Sequence, residues 1–163
     1  MSLCPCGSNK EFLTCCLPII NGDIKAVSPE QLMRSRYSAY AKKCSQYIYD
    51  SYAKSSQKDQ SLNEISSWAN QTQWLNLVIN HASCFEQSYS PNQPLPTVEF
   101  TAFYRHENRF FKMYENSRFI LENQQWRYVN GDVTEHIELL TPSRNDLCIC
   151  QSGKKFKQCC DKL

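Results

Sequence analysis

The sequence predicts an α+β domain with a small cysteine-rich segment at each end. Apolar residues recur at helical spacing in the first part of the chain and alternate with polar residues from about residue 75 onward. A run of helices followed by a run of strands is typical of an α+β layer fold. One four-cysteine pattern, Cys-x-Cys-x8-Cys-Cys, occurs at residues 4–16 and again at residues 148–160.

The composition is that of an ordinary globular chain apart from its cysteines. Hydrophobic residues make up 41% and charged residues 21% of the 163 residues, and the formal net charge is +2. A charge this small does not by itself indicate a nucleic-acid-binding protein. The first residues, Met1-Ser2-Leu3-Cys4, lack the basic and apolar regions of a signal peptide, and no stretch is apolar enough to span a membrane. We therefore expect a cytoplasmic protein.

The chain contains ten cysteines. In a cytoplasmic protein, clustered cysteines are more often metal ligands than disulfides or redox thiols, which are the alternatives. Structural Zn²⁺ takes four ligands in a tetrahedron, often thiolates, and four thiolates leave no open position for a catalytic water. We therefore predict two structural zinc ions per chain. The predicted ligands are Cys4, Cys6, Cys15 and Cys16 for the first ion, and Cys148, Cys150, Cys159 and Cys160 for the second.

The two repeats are also similar between their cysteines. Phe12 aligns with Phe156, which indicates one small module used twice. The tight turn in each module needs a residue that tolerates a left-handed backbone. Asn9 fills this role in the first repeat and Gly153 in the second.

The second repeat is the more basic one. Residues 143–163 contain five basic and two acidic side chains, which gives a net charge of +3. These lysines can offset the −2 charge of a zinc ion bound by four thiolates. They can also form a docking surface for an acidic protein or, as a weaker alternative, for nucleic acid. The candidate docking residues are Lys154, Lys155 and Lys157.

The start of the first long helix has a clear signal. Ser28 suits the N-cap, Pro29 suits the first turn, and Gln31 completes a capping box. Ser45 is a point where the helix can restart after a bend. A shorter helix is predicted within residues 61–73.

Alternating residues predict the strands of an antiparallel sheet. The predicted strands cover residues 75–79, 97–104, 109–115, 117–122 and 125–130. Tight turns between strands are predicted at Glu107-Asn108, Asn123-Gln124 and Asn130-Gly131. Residues 86–96 are predicted to form a proline-containing loop.

Residues 145–160, NDLCICQSGKKFKQCC, resemble the SEC-C zinc motif, whose usual form is close to RNDPCPCGSGKKYKKCC. That motif occurs at the C-terminus of the bacterial preprotein translocase ATPase, where it looks like a docking module for an acidic chaperone surface. The sequence departs from the motif at Leu147, Ile149 and Gln151. None of these is a ligand, so the expected difference is confined to the local turn.

Two such motifs around a central domain resemble the YchJ-like family of bacterial proteins. Residues 32–40, LMRSRYSAY, resemble the first-helix signature of that family, and residues 97–104, 115–119 and 126–129 resemble its strands. The resemblance implies a nuclear-transport-factor-2-like (cystatin-like) domain, which is a cone of curved antiparallel sheet packed on helices. It implies no established activity.

This resemblance divides the chain into three expected domains. They are an N-terminal zinc knuckle at residues 1–20, a central α+β domain at residues 21–140, and a C-terminal zinc knuckle at residues 141–163.

A cone-shaped domain can bring four polar residues together at its mouth. Arg36 and Tyr37 lie on the first helix, and we place Glu115 and Arg118 on adjacent strands. Such a group can form a small-molecule-binding or enzymatic pocket, with Arg as an anion clamp and Glu as an acid or base. The favoured interpretation is a structural Arg–Glu ion pair between helix and sheet. The sequence contains no recognisable catalytic triad, pair of metal-binding histidines or glycine-rich phosphate loop, so it gives no positive evidence for catalysis.

The leading functional hypothesis is a zinc-binding adaptor that docks a protein partner through its knuckles. The alternative is a ligand or enzymatic pocket in the central domain. A deep cavity lined by Arg36, Tyr37 and Glu115 favours the pocket. A solid aromatic core with exposed, basic knuckles favours the adaptor.

Overall fold

The computed structural model describes residues 2–85 and 93–162. Within these ranges, five helices come first and one four-stranded antiparallel sheet follows, as an α+β fold requires. Residues 86–92 of the predicted loop lie outside the described residues.

The helices that begin at Pro29, Ser45 and Leu62 lie where the sequence predicts, whereas the two four-residue helices were not predicted. The helices are α1 (Leu17–Ile20), α2 (Pro29–Ala41), α3 (Ser45–Asp50), α4 (Lys54–Gln57) and α5 (Leu62–Gln71). At the start of α2, Oγ of Ser28 accepts a hydrogen bond from the backbone N of Gln31 at 3.0 Å. Oε1 of Gln31 in turn accepts from the backbone N of Val27 at 2.7 Å. The left-handed residue Lys43, with φ 61°, separates α2 from α3.

The strands form a meander in which each strand pairs with the next. They are β1 (Thr72–Ala82), β2 (Thr97–His106), β3 (Arg109–Glu122) and β4 (Gln125–Leu139). Two predicted turns are confirmed at Glu107-Asn108 and Asn123-Gln124. All four turn residues have positive φ, between 47° and 60°, as a type I′ hairpin turn requires.

The third predicted turn, at Asn130-Gly131, is wrong. β4 continues through these residues to Leu139, and β3 is likewise one strand where two were predicted. Gly131 lies opposite Ser117 of β3, and a Cβ placed on it would lie 1.9 Å from Oε1 of Glu115. Glycine at this position therefore makes room for a neighbouring side chain instead of forming a turn.

The main core forms where α2 packs on the sheet. The buried residues from α2 are Leu32, Met33 and Tyr37. The sheet contributes Leu77, Val98, Phe100, Ala102, Phe119 and Trp126. Val98, Phe100 and Ala102 of β2 thus face this core at the predicted period of two, although both faces of the strand are buried from Phe100 to Tyr104.

The first cysteine repeat packs on a polar face of α2. Arg34 and Ser38 lie one helical turn apart and face it. Nη1 of Arg34 donates to the carbonyl oxygen of Cys6 at 2.6 Å, and Oγ of Ser38 lies 3.4 Å from Sγ of Cys4. This end of the chain is therefore held by the helix that forms the core.

The second cysteine repeat packs on an apolar end of the sheet. The ring of Phe156 meets the ring of Phe110 edge-on, with centroids 5.7 Å apart. Leu75 of β1 and Leu139 of β4 pack against the same cluster. The two repeats therefore use different surfaces of one domain.

We predict that Gly7→Ala destabilises the protein more than Gly22→Ala. Both glycines have positive φ, +74° and +82°. An added Cβ at Gly7 would lie 2.9 Å from the carbonyl oxygen of Leu77, whereas one at Gly22 meets nothing within 4 Å. Both changes carry the left-handed backbone cost of about 1–2 kcal/mol. The clash should add about 1–3 kcal/mol for Gly7 only. Urea denaturation measures the difference, and equal losses would contradict the close contact with β1.

Candidate metal centres and a cone cavity

The two cysteine repeats adopt the same backbone conformation. The backbone N of Cys4 donates to the carbonyl oxygen of Lys10 at 2.7 Å, and that of Cys148 donates to Lys154 at 2.8 Å. Equivalent 3-10 turns follow at Phe12–Thr14 and Phe156–Gln158. The sequence repeat is therefore a structural repeat, and we call each copy a knuckle.

Each knuckle contains two left-handed residues. Asn9 and Gly153 have φ of 60° and 75°, as predicted. Gly7 and Gln151 form the second equivalent pair, with φ of 74° and 60°. The departure of Gln151 from the usual motif therefore leaves the turn unchanged.

Each knuckle gathers its four sulfur atoms within 4.8 Å of one another. In a tetrahedral zinc site with Zn–S bonds of about 2.3 Å, the sulfurs lie about 3.8 Å apart, whereas disulfide sulfurs lie about 2.05 Å apart. The measured separations are 3.7 Å for Cys6–Cys15, 3.9 Å for Cys15–Cys16, 3.4 Å for Cys148–Cys150, 3.5 Å for Cys150–Cys159 and 3.9 Å for Cys159–Cys160. None of the ten cysteines, which all lie in the described ranges, forms a disulfide. The sulfur geometry fits one metal ion per knuckle.

Burial and hydroxyl contacts are also alike in the two knuckles. Three cysteines of each set are buried, and the third in chain order is half-buried. That half-buried sulfur contacts a serine hydroxyl of the same knuckle. The distances are 3.2 Å for Ser8–Cys15 and 3.4 Å for Ser152–Cys159. Hydroxyl contacts of this kind orient and support thiolate ligands.

Hydrogen bonds shared among the cysteines lower the pKa of one thiol in each knuckle, Cys6 or Cys148, whereas hydrogen bonds raise the pKa of Cys16 and burial raises that of Cys160. A lowered pKa favours the thiolate, which is the form that binds metal. The side chains of Cys16 and Cys4 lower the pKa of Cys6 far below its ordinary value. Burial raises the pKa of Cys148, but hydrogen bonds from Cys150 and Cys160 outweigh it and lower that pKa to about 7.

A cavity of about 220 Å³ lies between α2, α5 and the four strands. Seven of its eleven lining residues are aromatic and two are methionines. The other two are Arg36 and Glu115, and Tyr37 is among the aromatic ones. The structure therefore brings together three of the four residues predicted for a pocket, in a hollow core.

Arg36 is a buried cation held by two rings and two hydrogen bonds. Its guanidinium carbon lies 4.5 Å from the ring centroid of Tyr52 and 4.3 Å from that of Tyr128. Nη1 donates to the carbonyl oxygen of Ile48 at 3.0 Å and to Oγ of Ser51. No carboxylate in the described part of the chain forms a salt bridge with it. The expected Arg–Glu ion pair is therefore absent.

Tyr128 connects Arg36 to Glu115 instead. Oε1 of Glu115 accepts hydrogen bonds from the hydroxyl of Tyr128 at 2.9 Å and from Oγ of Ser117 at 2.7 Å. Burial and the neighbouring Glu115 carboxylate raise the pKa of Tyr128, so this hydroxyl stays protonated and donates. The room above Gly131 is what allows the carboxylate to fold into this position.

Arg118 does not belong to this group. It lies on β3, the strand that also carries Glu115, and not on an adjacent strand as expected. Residues three apart on a strand point to opposite faces, so the two side chains diverge. Arg118 donates to Oδ1 of Asn130 at 2.9 Å and pairs with the carboxylate of Asp132.

Three further cavity residues, Tyr52, Trp74 and Tyr128, were not among the site residues predicted from the sequence. In the described part of the chain, the Tyr37 hydroxyl and Nε1 of Trp74 are buried without a hydrogen-bond partner. Burial raises the pKa of Tyr40 to about 12. The period of two along β4 places Tyr128 beside the buried Trp126, and this was the available signal for its position.

Comparisons with known proteins agree with this architecture. A family model described as the YchJ middle NTF2-like domain matches residues 28–131. The chain belongs to the YchJ family. A second model, the SEC-C motif, matches residues 144–161, and the first knuckle has the same backbone hydrogen bonds. Both family assignments made from the sequence are thus confirmed.

Relatives in the family align along almost their whole length. The UPF0225 protein of Enterobacter sp. (strain 638) is 39% identical over 158 residues, which cover 97% of each chain. The UPF0225 protein of Shewanella sp. (strain MR-4) is 38% identical over 163 residues, with 98% of this chain and 96% of the relative covered.

Two solved structures share the fold. The solution structure of a SEC-C motif containing protein from Rhodopseudomonas palustris has a TM-score of 0.72 and 29% identity to this chain. That match covers 82% of this chain and 100% of the other. The crystal structure of a SEC-C motif containing protein from Psychrobacter arcticus has a TM-score of 0.64 and covers 99% of this chain and 97% of that one. The second is 24% identical, so it supports the fold alone.

No helix in the described ranges has the length and apolar character needed to cross a membrane.

Proposed function

We propose that this YchJ-family chain is a zinc-stabilised small-molecule-binding protein. Each knuckle holds one structural Zn²⁺, and the cone cavity holds the ligand. The observation that carries the proposal is the cavity lined by Arg36, Tyr37 and Glu115. A hollow of this composition distinguishes a ligand-binding domain from a pure adaptor.

Zinc suits the knuckles because every donor is a cysteine sulfur. Sets of four sulfurs select zinc or iron–sulfur centres over harder ions. One ion with four ligands has no open position for substrate, so both sites are structural. A reducing compartment such as the cytoplasm, where we place the protein, keeps these thiols free to bind.

We predict two zinc ions per chain by native mass spectrometry. Cys44→Ser and Cys84→Ser should keep the count at two, because both residues lie outside the knuckles. Ser38→Ala should weaken the first site only, by about 10- to 100-fold, since its hydroxyl contacts Cys4 of the first knuckle. Chelator competition measures the affinities. Disulfides, or fewer than two ions in the unmodified protein, would contradict the assignment.

The cavity is suited to binding more than to catalysis. Its lining includes Arg36, a buried cation without a direct carboxylate partner in the described residues, and buried charges in a cavity mark candidate binding sites. Among the described residues, the same lining contains no cysteine, serine, histidine or lysine. It has one hydroxyl–carboxylate pair, Tyr128 and Glu115, but burial raises the pKa of that phenol, so it is a weak nucleophile near pH 7. We therefore propose ligand binding as the role of the cavity.

We predict that small aromatic fragments bind in the cavity and that Met113→Trp blocks them. Met113 lines the cavity from β3, so a larger side chain fills the space. Arg118→Ala is the matched control, because Arg118 lies on the opposite face of the same strand. Ligand-observed NMR with a fragment library gives the measurement. Fragments that bind Met113→Trp as well as the unmodified protein would place the binding site elsewhere.

A second candidate function is docking of an acidic protein by the C-terminal knuckle. Lys154 and Lys155 are exposed and Lys157 is half-buried, while three of the four cysteines beside them are buried. This separation of outward charge from inward sulfur favours a docking surface. Nucleic acid remains the weaker alternative partner for this surface.

We predict that replacing Lys155 and Lys157 with Glu abolishes capture of an acidic partner without releasing zinc. Binding should also weaken as salt rises, because exposed charges are screened. Replacing the exposed Lys25 and Lys58 with Glu changes the net charge equally and serves as the control. Pull-down and zinc analysis of both variants distinguish the outcomes. Zinc release would make the lysines supports of the metal site, and unchanged capture would exclude this surface.

A further inference from the structure

Among the residues that the structure describes, Arg36 and Glu115 are the two charged ones in the lining of the cone cavity, and they restrict the chemistry of a ligand. This inference rests on the ligand-binding function proposed above. We propose that the cavity takes an uncharged planar heterocycle about the size of a nucleobase. Its ring carbonyl accepts a hydrogen bond from Arg36, and its ring N–H donates to Glu115.

The volume sets the size of the ligand. A cavity of about 220 Å³ is smaller than the sites of drug-sized ligands, which span roughly 300–1,000 Å³. At about 30 Å³ per water molecule, it holds about seven waters, which corresponds to about ten non-hydrogen atoms. One ring or two fused rings therefore fit.

The walls set the shape of the ligand. The ring of Trp74 lies 5.3 Å from the rings of both Tyr37 and Tyr40, at interplanar angles of 77° and 41°. Phe100 and Trp68 complete the aromatic lining. Aromatic faces pack best on flat π-systems in offset or edge-on contacts. A planar ring makes more of these contacts than a branched aliphatic chain of equal volume.

The two charges set the polarity of the ligand. Arg36 has no carboxylate partner in the described residues, and Glu115 accepts from hydroxyl groups only. A full anion would be buried against Glu115, and a full cation against Arg36. A lactam-like edge, with a carbonyl beside an N–H, satisfies both residues without adding a charge.

One buried donor favours the carbonyl in particular. Nε1 of Trp74 belongs to a lining residue and lacks a partner in the described part of the chain. Side-chain adjustments at a binding site are common, and a small one brings this donor to a ligand oxygen. Buried donors are normally satisfied, so an acceptor supplied by the ligand completes the site.

The test uses four flat probes on the zinc-loaded full chain, with affinities from isothermal titration calorimetry. Quinolin-2-one has the neutral lactam edge, quinoline lacks it, quinoline-2-carboxylate is an anion and benzamidine is a cation. We expect quinolin-2-one to bind about tenfold tighter than each of the others. Glu115→Gln should weaken it about tenfold, and Arg118→Gln, on the opposite strand face, should leave it unchanged.

Each other result overturns the inference. Tightest binding of the carboxylate makes the cavity an anion site, and tightest binding of benzamidine makes it a cation site. Equal binding of quinoline and quinolin-2-one would show that Arg36 and Glu115 do not recognise the lactam edge. If Glu115→Gln fails to fold, Tyr128→Phe replaces it, since it removes a hydrogen bond to the same carboxylate. In that variant, unchanged preference for the lactam over quinoline supports the proposal, and loss of preference with the fold intact opposes it.

Failure of the underlying function has a different signature. The ligand-binding function fails together with this inference under two results. None of the four probes binds, and every library fragment binds Met113→Trp as well as it binds the unmodified protein. If fragments bind the cavity but the lactam has no advantage, only the ligand class is wrong.

Discussion

Burial of the Arg36 guanidinium is the constraint on which the rest of the structure depends. Removing this charge from water costs several kcal/mol. Two ring contacts return about 0.5–2 kcal/mol each, and hydrogen bonds to a charged group about 1.5–3 kcal/mol each. The cost of burial and these favourable contributions nearly cancel. Buried Arg36 therefore adds little net stability and mainly fixes the position of α2. Its contacts to Ile48, Ser51, Tyr52 and Tyr128 hold α2 against α3 and β4 at one rotation.

The fixed rotation of α2 determines what each of its faces does. One face places Tyr37 beside the cavity, and another presents Arg34 and Ser38 to the first knuckle. The two knuckles also flank β1, which is an edge strand: a groove there is lined by Asn9 from one turn and Gln151 from the other. Exposed edge strands are open to unwanted pairing. The knuckles therefore stand on either side of this edge and narrow the access of another strand to it.

Local signals in the sequence were sufficient for much of this structure. The cap at Ser28, the hairpin turn at Asn123-Gln124 and the two cysteine sets each depend on residues close together in the chain. The turn predicted at Asn130-Gly131 was wrong because a glycine can mark a turn or can leave room for a side chain that is distant in sequence, here Glu115. The local sequence does not distinguish the two. The Arg36–Glu115 pair failed for the same reason: Tyr128, from another strand, lies between them. Arg118 was misplaced because two strands were predicted where β3 is one, and along a single strand the period of two separates it from Glu115.

The hydroxyl groups around the cavity keep one protonation state. Burial raises the pKa of Tyr37, and the thiols of Cys150 and Cys6 raise it further. Burial likewise raises the pKa values of Tyr40 and Tyr128. These phenols therefore stay neutral near pH 7, and the charge of the lining is set by one arginine and one glutamate alone. Burial is the first cause of the raised pKa for all three phenols, so the aromatic walls that exclude water from the cavity also fix the protonation of its hydroxyl groups.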